Sequence, residues 1–401
     1  MKSKFTFILM LFIIVLIIGA TGLLGMIVWE EIQNYLPQDE SNVPKMEDFA
    51  EKDNTNTEVA DIPEENIEVP KIRNTTNNVN KAKVDNDVNP LTELSKPVSS
   101  NTVTQEQEEQ VENVSGNKYF YNQLNNYSKK IYSALETNKE NMKTGTYKIN
   151  LGSSFSDILS KSNGQDELGN YYQSAIEAYV YDNPDVFYLS PSKMYLNIET
   201  ITRGNQKTYN TYIDNGEGAN YLIEEFNSKN EVEQALSALE NVRNNIISNK
   251  TGDTYKDIKM VHDYLVNNID YDRTVSEANI FNIYGALINH KCVCEGYAKA
   301  LKYLLDGLGI EAVLVIGKAT NSEGESENHA WNYVNVDGTW YAIDSTWDDP
   351  VIIGGGTLTN SSKYKYFLKG TSVMNKDHFP SGRFTENGMV FEYPNLSSSN
   401  Y

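Results

Sequence analysis

The stretch KCVCEGYAKALKYLLDGLG, residues 291–309, holds both cysteines of this 401-residue chain and predicts one helix. The helix is expected to begin at Cys294 and to end near Asp306, because Gly307 and Gly309 favour a stop there. One face of this helix then carries Cys294, Ala298, Leu301, Leu305 and Leu308. The Cys294 thiol therefore lies at the helix N-terminus on the core-facing side. The helix dipole and the unpaired N–H groups favour a thiolate at this position, so Cys294 is a candidate nucleophile.

Other interpretations of the two cysteines stay open. A cysteine on a core-facing stripe is often an inert part of the core. A disulfide between Cys292 and Cys294 would close a very small, strained ring, although it could mask a nucleophile reversibly. The chain also offers a permitted set of zinc ligands: His290, Cys292, Cys294 and His329. The H-x-C-x-C spacing is tighter than that of the usual zinc loop, so we predict no metal and no cofactor.

The stretch ENHAWNYVNVDGTWYAIDSTWDDP, residues 327–350, predicts a β-hairpin whose two-residue turn is Asp-Gly. If Val336 pairs with Thr339, the same register makes His329 and Asp344 diagonal neighbours on one face of the sheet. A slip of one residue would put them on opposite faces. The predicted register therefore brings an imidazole to a carboxylate, which is how a catalytic base is oriented.

These motifs resemble those of a known family. The stretches YGALINHKCVCEGYAKALKYLLDGLGIEA and HAWNYVNVDGTWYAIDSTWDDP are similar to the core of the transglutaminase-like superfamily, over about residues 255–350. The family's Val-Cys-x-Gly-Tyr setting falls on Cys294, its His-Ala-Trp-Asn stretch begins at His329, and its aspartate before Thr-Trp is Asp344. The resemblance implies an α+β, papain-like fold in which the cysteine helix packs against an antiparallel sheet. It also implies that these three residues are catalytic.

The N-terminus predicts a membrane anchor. After Lys2 and Lys4, residues Phe5 to Trp29 carry no charge, and a helix of that length spans a hydrocarbon core of about 30 Å. Lysines before the run and acidic residues after it place the N-terminus inside the cell and the rest outside. A cleaved signal peptide is the alternative, although no A-x-A site follows the run. We therefore expect residues 1–29 to be an uncleaved transmembrane helix.

Composition divides the rest of the chain. Residues 36–115 are polar and contain Phe49 as their only aromatic residue, so they cannot offset the entropy of ordering. The predicted segments are 30–115, a disordered stalk; 116–250, a helical and β-hairpin region; 251–391, the catalytic core; and 392–401, a flexible tail. A formal net charge of -21 argues against nucleic acids and anionic lipid surfaces as partners. The Asn-, Lys- and Ile-rich usage is typical of an AT-rich bacterium.

Periodicity and turn signals give further local predictions. The predicted elements are helices over 118–135, 166–180, 230–248 and 254–268, and a hairpin over 193–214. His262 lies off the apolar stripe of its helix and is expected at the surface or at the rim of a cleft. His378 has no recognisable partner. The acidic cluster Asp344, Asp348 and Asp349 is more typical of a capped turn than of a calcium site.

The predicted function is extracytoplasmic, cysteine-dependent acyl transfer on peptide or protein amides, through a Cys294-His329-Asp344 triad and a thioester. Water would make the protein a peptidase or amidase, and an amine would make it a transglutaminase; the sequence does not choose. Substrates within reach of a stalked domain include cell-surface proteins and peptidoglycan peptides. The alternative is a cell-surface binding or scaffold module that uses the same fold without catalysis.

Overall fold

The computed structural model describes residues 71–77, 118–275, 278–322, 324–349, 359–385 and 388–401. The predicted anchor, residues 1–29, and most of the predicted stalk lie outside these described residues. Within the described part of the chain, none of the helices combines the length and the apolar character that crossing a membrane requires.

Two four-stranded sheets carry most of the strands. The strands are β1 (Lys71–Asn77), β2 (Ile149–Gly152), β3 (Tyr195–Arg203), β4 (Gln206–Asp214), β5 (Asp270–Tyr271), β6 (Lys291–Cys292), β7 (Ala312–Thr320), β8 (Ser326–Val336), β9 (Thr339–Ile343) and β10 (His378–Pro380). The first sheet has the order β1-β3-β4-β2 and the second has the order β10-β7-β8-β9. Strands β5 and β6 form a small parallel pair.

Helices surround the two sheets. The α-helices are α1 (Asn126–Thr137), α2 (Lys139–Met142), α3 (Ser156–Leu159), α4 (Gly164–Asp182), α5 (Lys229–Ile247), α6 (Thr254–Asn268), α7 (Cys294–Leu308), α8 (Asn360–Lys363) and α9 (Thr371–Met374). The short 3-10 helices are Tyr121–Gln123, Pro184–Val186, Pro191–Lys193 and Ala278–Phe281, and Gly285–Asn289 is a π-helix. The resulting architecture mixes helices and sheets, as the predicted α+β class requires.

Most of the local predictions are confirmed, with one shift near the start of the folded part. Helices α4, α5 and α6 and the β3–β4 hairpin lie where periodicity and turn signals place them. The helix predicted over 118–135 instead begins at Asn126. The reason is Asn125, whose side chain accepts hydrogen bonds from the backbone N–H groups of Tyr127 and Ser128 and so starts a new helix.

Helix α7 packs against the second sheet. It runs from Cys294 to Leu308 and ends at Gly309, which has a φ of 72°. The side-chain nitrogen of Asn332, on β8, donates a 2.9 Å hydrogen bond to the carbonyl of Ala298. The helix also carries two ion pairs at a spacing of four residues: Glu295 with Lys299 at 2.5 Å, and the buried Lys302 with Asp306 at 3.0 Å. This packing brings the N-terminus of α7 to the sheet.

The β8–β9 hairpin has the predicted register. Asp337 and Gly338 both have positive φ values, 52° and 88°, as a two-residue turn of this kind needs. Val336 pairs with Thr339, and the ladder continues to the pair formed by Asn332 and Ile343. Residue 344 therefore leaves the sheet next to the segment of β8 that carries residue 329.

Two segments differ from the predictions. The strand β1 lies inside the predicted stalk and pairs in parallel with β3, so these seven residues are not disordered. The predicted flexible tail, residues 392–401, packs on the domain. The backbone N–H of Ser397 donates to the carbonyl of Trp340, and the ring of Tyr401 stacks on Tyr255 at 5.3 Å. Polar composition alone predicted mobility, but these contacts fix the tail.

Candidate active site

The predicted contact between His329 and Asp344 is present. His329 Nε2 lies 2.7 Å from Asp344 Oδ2, and both side chains are buried. Strand β8 carries the histidine, and the turn that follows β9 carries the aspartate. The hairpin register therefore accounts for the contact.

Four hydrogen bonds hold the carboxylate of Asp344. Its Oδ1 accepts from the backbone N–H groups of Thr346 and Trp347, at 3.0 and 3.1 Å. Its Oδ2 accepts from His329 and, at 3.0 Å, from Nε2 of His378. Burial alone would raise the pKa of Asp344, but the charges and hydrogen bonds of the two histidines hold this pKa well below its usual range. The carboxylate is thus fixed and ionised.

The second ring nitrogen of His329 is free. Its Nδ1 is buried and has no hydrogen-bond partner among the described residues. Because Nε2 faces a carboxylate, the neutral ring carries its proton on Nε2 and presents a lone pair at Nδ1. The rings of Trp331 and Trp347 lie against the imidazole at 5.9 and 5.3 Å. These contacts limit rotation of the ring, so Nδ1 is oriented as a proton acceptor.

Cys294 lies beside the strand that carries this histidine. The backbone of Ala330, next to His329 on β8, lies near the Cys294 thiol and lowers the pKa of that thiol, although by less than burial raises it. Only 3% of the Cys294 surface is exposed. Burial, followed by the carboxylate of Glu295, raises the pKa of the Cys294 thiol well above its ordinary value. The expectation that the helix N-terminus stabilises a resting thiolate is therefore wrong, because the desolvation of the thiol outweighs the dipole.

Two groups near the thiol are able to donate hydrogen bonds to a substrate. No side chain caps α7 at Val293, so the first N–H groups of the helix, including that of Cys294, are available. Tyr271 pairs with Cys292 in the β5–β6 pair, and its hydroxyl is buried without a hydrogen-bond partner among the described residues. Burial, with the nearby Cys294 as the next cause, raises the pKa of Tyr271, so its hydroxyl stays protonated.

Cys292 has a packing role. Both cysteines are free, so the disulfide interpretation does not describe this structure. A Cβ atom added to Gly296 would lie 2.5 Å from Cys292 Cβ and 2.6 Å from the carbonyl oxygen of Ile280. The first turn of α7 therefore rests directly on Cys292, which explains a glycine in a helix that otherwise favours larger residues.

We expect Gly296→Ala to destabilise the fold by about 1–3 kcal/mol, because the methyl group must displace backbone atoms. Gly307→Ala, on the same helix, is the matched control. Its methyl group would meet only the flexible side chain of Arg243, at 2.9 Å. Urea unfolding of the two variants measures the difference, and equal free energies of unfolding would contradict this account of Gly296.

His378 is the residue of the site that the sequence did not reveal. It had no recognisable partner in the sequence, yet its Nε2 bonds to Asp344 and its Nδ1 lies 2.7 Å from Asp377 Oδ1. Strand β10 pairs with β7 at the edge of the second sheet, and this pairing carries His378 to the site. An Asp-His pair alone is too common in sequences to signal such a contact.

The prediction for His262 was wrong. The side chain is fully buried, and its Nε2 lies 3.0 Å from Asp348 Oδ2. Burial lowers the pKa of His262, but the nearby carboxylates of Asp263 and Asp348 outweigh it and raise this pKa. The other oxygen of Asp348 accepts from the backbone N–H of Tyr366 at 2.7 Å. Asp348 thus anchors the turn that carries Asp344, and it takes the turn role that the sequence favoured over calcium binding.

Among the described residues, the group of side chains close enough to share a metal ion is His329, Asp344 and His378, whose ligand-type atoms lie within 4.8 Å of one another. This is not the zinc set that the sequence offered. Both ring nitrogens of His378 and the Nε2 of His329 already bond to carboxylates. A metal would have to break these bonds, so we assign none of the three as a ligand.

The site belongs to a known class of domain. A family model described as the transglutaminase-like superfamily matches residues 240–345, so this chain contains a transglutaminase-like domain. The match takes in α6, α7 and the β7–β9 strands, and its fold is that of cysteine-dependent acyl-transfer proteins.

Curated relatives and solved structures match part of the chain. Kyphoscoliosis peptidase of Mus musculus is 27% identical over 160 residues, which are 35% of this chain and 23% of that protein. The Homo sapiens protein of the same name is 25% identical over 140 residues, 31% of this chain and 21% of its own length. The chain therefore matches less than a quarter of the length of these relatives. A TGase crystal structure covers 44% of this chain and 50% of its own, at 16% identity and a TM-score of 0.27. The match to the periplasmic domain of TgpA from Pseudomonas aeruginosa covers 35% of this chain and 55% of that domain's chain, at 14% identity and a TM-score of 0.22.

Proposed function

We propose that this chain catalyses cysteine-dependent acyl transfer on peptide or protein amides, with Cys294 as nucleophile, His329 as base and Asp344 as its orienting carboxylate. The observation that carries the proposal is the 2.7 Å hydrogen bond from His329 Nε2 to Asp344. This bond leaves Nδ1 of the buried His329 ring without a hydrogen-bond partner among the described residues. The next residue, Ala330, has its backbone near the Cys294 thiol. A base oriented in this way is what a nucleophilic cysteine needs.

In the first half of the reaction, Cys294 Sγ attacks the carbonyl carbon of the amide. The S–H proton passes to His329 Nδ1, and Asp344 stabilises the imidazolium that forms. The negative oxygen of the tetrahedral intermediate is held by the uncapped N–H groups of α7 and by the Tyr271 hydroxyl. The C–N bond then breaks, and the leaving amine takes the proton from His329, which leaves a thioester on Cys294.

In the second half, water or an amine attacks the thioester. Water gives an acid product and makes the protein a peptidase or amidase, whereas an amine gives a new amide and makes it a transglutaminase. His329 removes a proton from the attacking group and returns it to the cysteine sulfur. The same three residues serve both outcomes, so the proposal covers both.

The buried thiol affects the order of events. Because burial raises the pKa of Cys294, the resting sulfur is a neutral thiol. The proton leaves the sulfur as the sulfur attacks, as in general-base catalysis, rather than before the substrate arrives. This differs from a site that stores a thiolate.

We also propose the setting of the reaction. Residues 1–29 would hold the protein in a bacterial cell membrane with the catalytic domain outside, where cell-surface proteins or peptidoglycan peptides are within reach. The net charge of -21 argues against nucleic acid as a partner.

One observation favours the alternative of a non-catalytic binding or scaffold module. Cys294 is 3% exposed, and a thiol that no substrate reaches would be a core residue. A binding role, however, does not require an ionised Asp344 carboxylate that accepts four hydrogen bonds, one of them from His329.

The test is a product assay on the 401-residue chain. Casein with a fluorescent primary amine reports transamidation, and casein alone reports hydrolysis; Cys294→Ala is the control in both. We expect one or both products from the parent protein and neither from Cys294→Ala. Equal signals from the two proteins would contradict the proposal, because the chemistry would then not depend on the thiol.

A further inference from the structure

His378 lies between two carboxylates. Its Nε2 lies 3.0 Å from Asp344 Oδ2 and its Nδ1 lies 2.7 Å from Asp377 Oδ1. The ring is buried, and the rings of Trp331 and Trp347 lie against it at 5.1 and 4.7 Å. Each ring nitrogen thus has a carboxylate oxygen as its hydrogen-bond partner.

A neutral imidazole cannot satisfy this arrangement. It has one N–H donor, so one of the two carboxylates would face a ring lone pair. An imidazolium donates to both carboxylates and balances their charge. Burial lowers the pKa of His378, but the hydrogen bonds to Asp344 and Asp377 outweigh it and raise this pKa. The geometry and the direction of this change both favour a positively charged His378.

The cation shares an oxygen with the catalytic base. His329 and His378 both bond to Asp344 Oδ2, and their ring centroids are 5.7 Å apart. A proton added to His329 would thus place a second positive charge next to the first. The oxygen that would stabilise this proton is already engaged by His378. A charge on His329 would therefore be repelled by the charge on His378.

We propose that His378 is a positioning residue whose positive charge, held between Asp344 and Asp377, opposes the addition of a proton to His329. The inference rests on the proposed function, since it assigns His378 a role in setting the pH range over which His329 accepts the thiol proton. It goes beyond the three-residue triad, in which Asp344 acts on His329 alone.

The other groups around the two rings are accounted for. Asp377 Oδ2 accepts from the hydroxyl of Tyr366 at 2.7 Å, and Lys365 is the next charge near Asp377. Burial raises the pKa of Asp377, but His378 and Tyr366 outweigh it and lower this pKa, so the carboxylate stays ionised. Cys294 and Tyr271 each interact electrostatically with Glu327 and with Asp344. Of the groups named, His378 is the cation in direct contact with Asp344.

Two variants remove the charge in different ways. His378→Gln replaces the cation with a neutral group that is still able to donate to Asp344. Asp377→Asn keeps His378 but lets it become neutral, because an amide donates to Nδ1 while Nε2–H still bonds to Asp344. Lys376→Gln is the matched control, since it removes one exposed positive charge from the same segment.

The experiment follows His329 directly, by NMR titration of its ring in the 401-residue chain, and follows the iodoacetamide labelling rate of Cys294 from pH 5 to 9. Two unit charges 5.7 Å apart in a protein environment correspond to a shift of about 1–2 pH units. We expect both midpoints to rise by that amount in His378→Gln and in Asp377→Asn, and to stay unchanged in Lys376→Gln. If the His329 midpoint rises by less than this amount in His378→Gln or in Asp377→Asn, or does not rise, the inference is overturned.

Two further results distinguish a failure of this inference from a failure of the proposed triad. In the parent protein, ¹⁵N NMR should show both ring nitrogens of His378 protonated at pH 7; a neutral ring would overturn the inference without any variant. If the His329 midpoint shifts as expected while the labelling of Cys294 does not follow it, the inference stands for His329 and the proposed triad fails instead.

Discussion

Replacing His329 with alanine is expected to lower the rate of acyl transfer by about 10⁴-fold or more, as loss of the base does in other nucleophilic triads. The reason is the resting state of the site. Burial raises the pKa of Cys294, so the sulfur depends on the free Nδ1 of His329 to lose its proton. His378 does not take over, because both of its ring nitrogens are bonded to carboxylates.

The matched control for this variant is His290→Asn. His290 is exposed and has a φ of 56°, which asparagine tolerates well, so the change removes an imidazole near the site at little strain. We expect the control to keep the parent rate in the casein assays. A His329→Ala protein that is folded and as active as the control would contradict the assignment of the base.

Replacing Asp344 with asparagine is expected to lower the rate by about 10³–10⁴-fold while the fold is retained. The asparagine oxygen can still accept from the N–H groups of Thr346 and Trp347. Its NH₂ group would then face His329 Nε2, which must become an acceptor. The proton moves to Nδ1, and the ring presents a donor to the thiol where a base is needed.

Asp344→Ala separates this tautomer effect from a loss of structure. It leaves a buried imidazolium at His378 without one of its two partners, so we expect destabilisation by about 3–5 kcal/mol. Asp337→Asn is the control, because the hairpin turn accepts asparagine at positive φ equally well. Thermal unfolding measures the stability of the two Asp344 variants and of Asp337→Asn, and the casein assays measure their activity. An Asp344→Asn protein as active as Asp337→Asn would contradict the role of the carboxylate.

The sequence predicts the parts of this site that depend on local structure. The Asp337-Gly338 turn fixes the hairpin register, and the register places His329 against Asp344. In α7, Cys294 and the apolar residues that follow it recur at alternating spacings of four and three, which predicts a helix with Cys294 on its core-facing side. Gly307 and Gly309 predict where the helix ends. Both results follow from short-range rules of backbone geometry, which do not require knowledge of the rest of the fold.

The parts that the sequence missed depend on distant segments. His378 reaches Asp344 only because β10 pairs with β7, and His262 is buried against Asp348, Tyr364 and Phe367, which lie far away in the sequence. The raised pKa of Cys294 is of the same kind, since desolvation depends on every segment that covers the thiol. The tail looked mobile because its composition is polar, but Tyr401 and the backbone of Ser397 fix it.

The central claim is that Cys294 is a nucleophile activated by His329. The most direct measurement is the rate at which iodoacetamide labels each cysteine between pH 6 and 9, located by mass spectrometry, in the parent protein and in His329→Ala. We predict that Cys294 is labelled near neutral pH in the parent and that the fully buried Cys292 is not. In His329→Ala, labelling of Cys294 should be slow until the pH approaches the raised pKa of the thiol. Equal labelling of Cys294 in the two proteins, or slow labelling of both cysteines in both, would contradict the triad and favour a binding module.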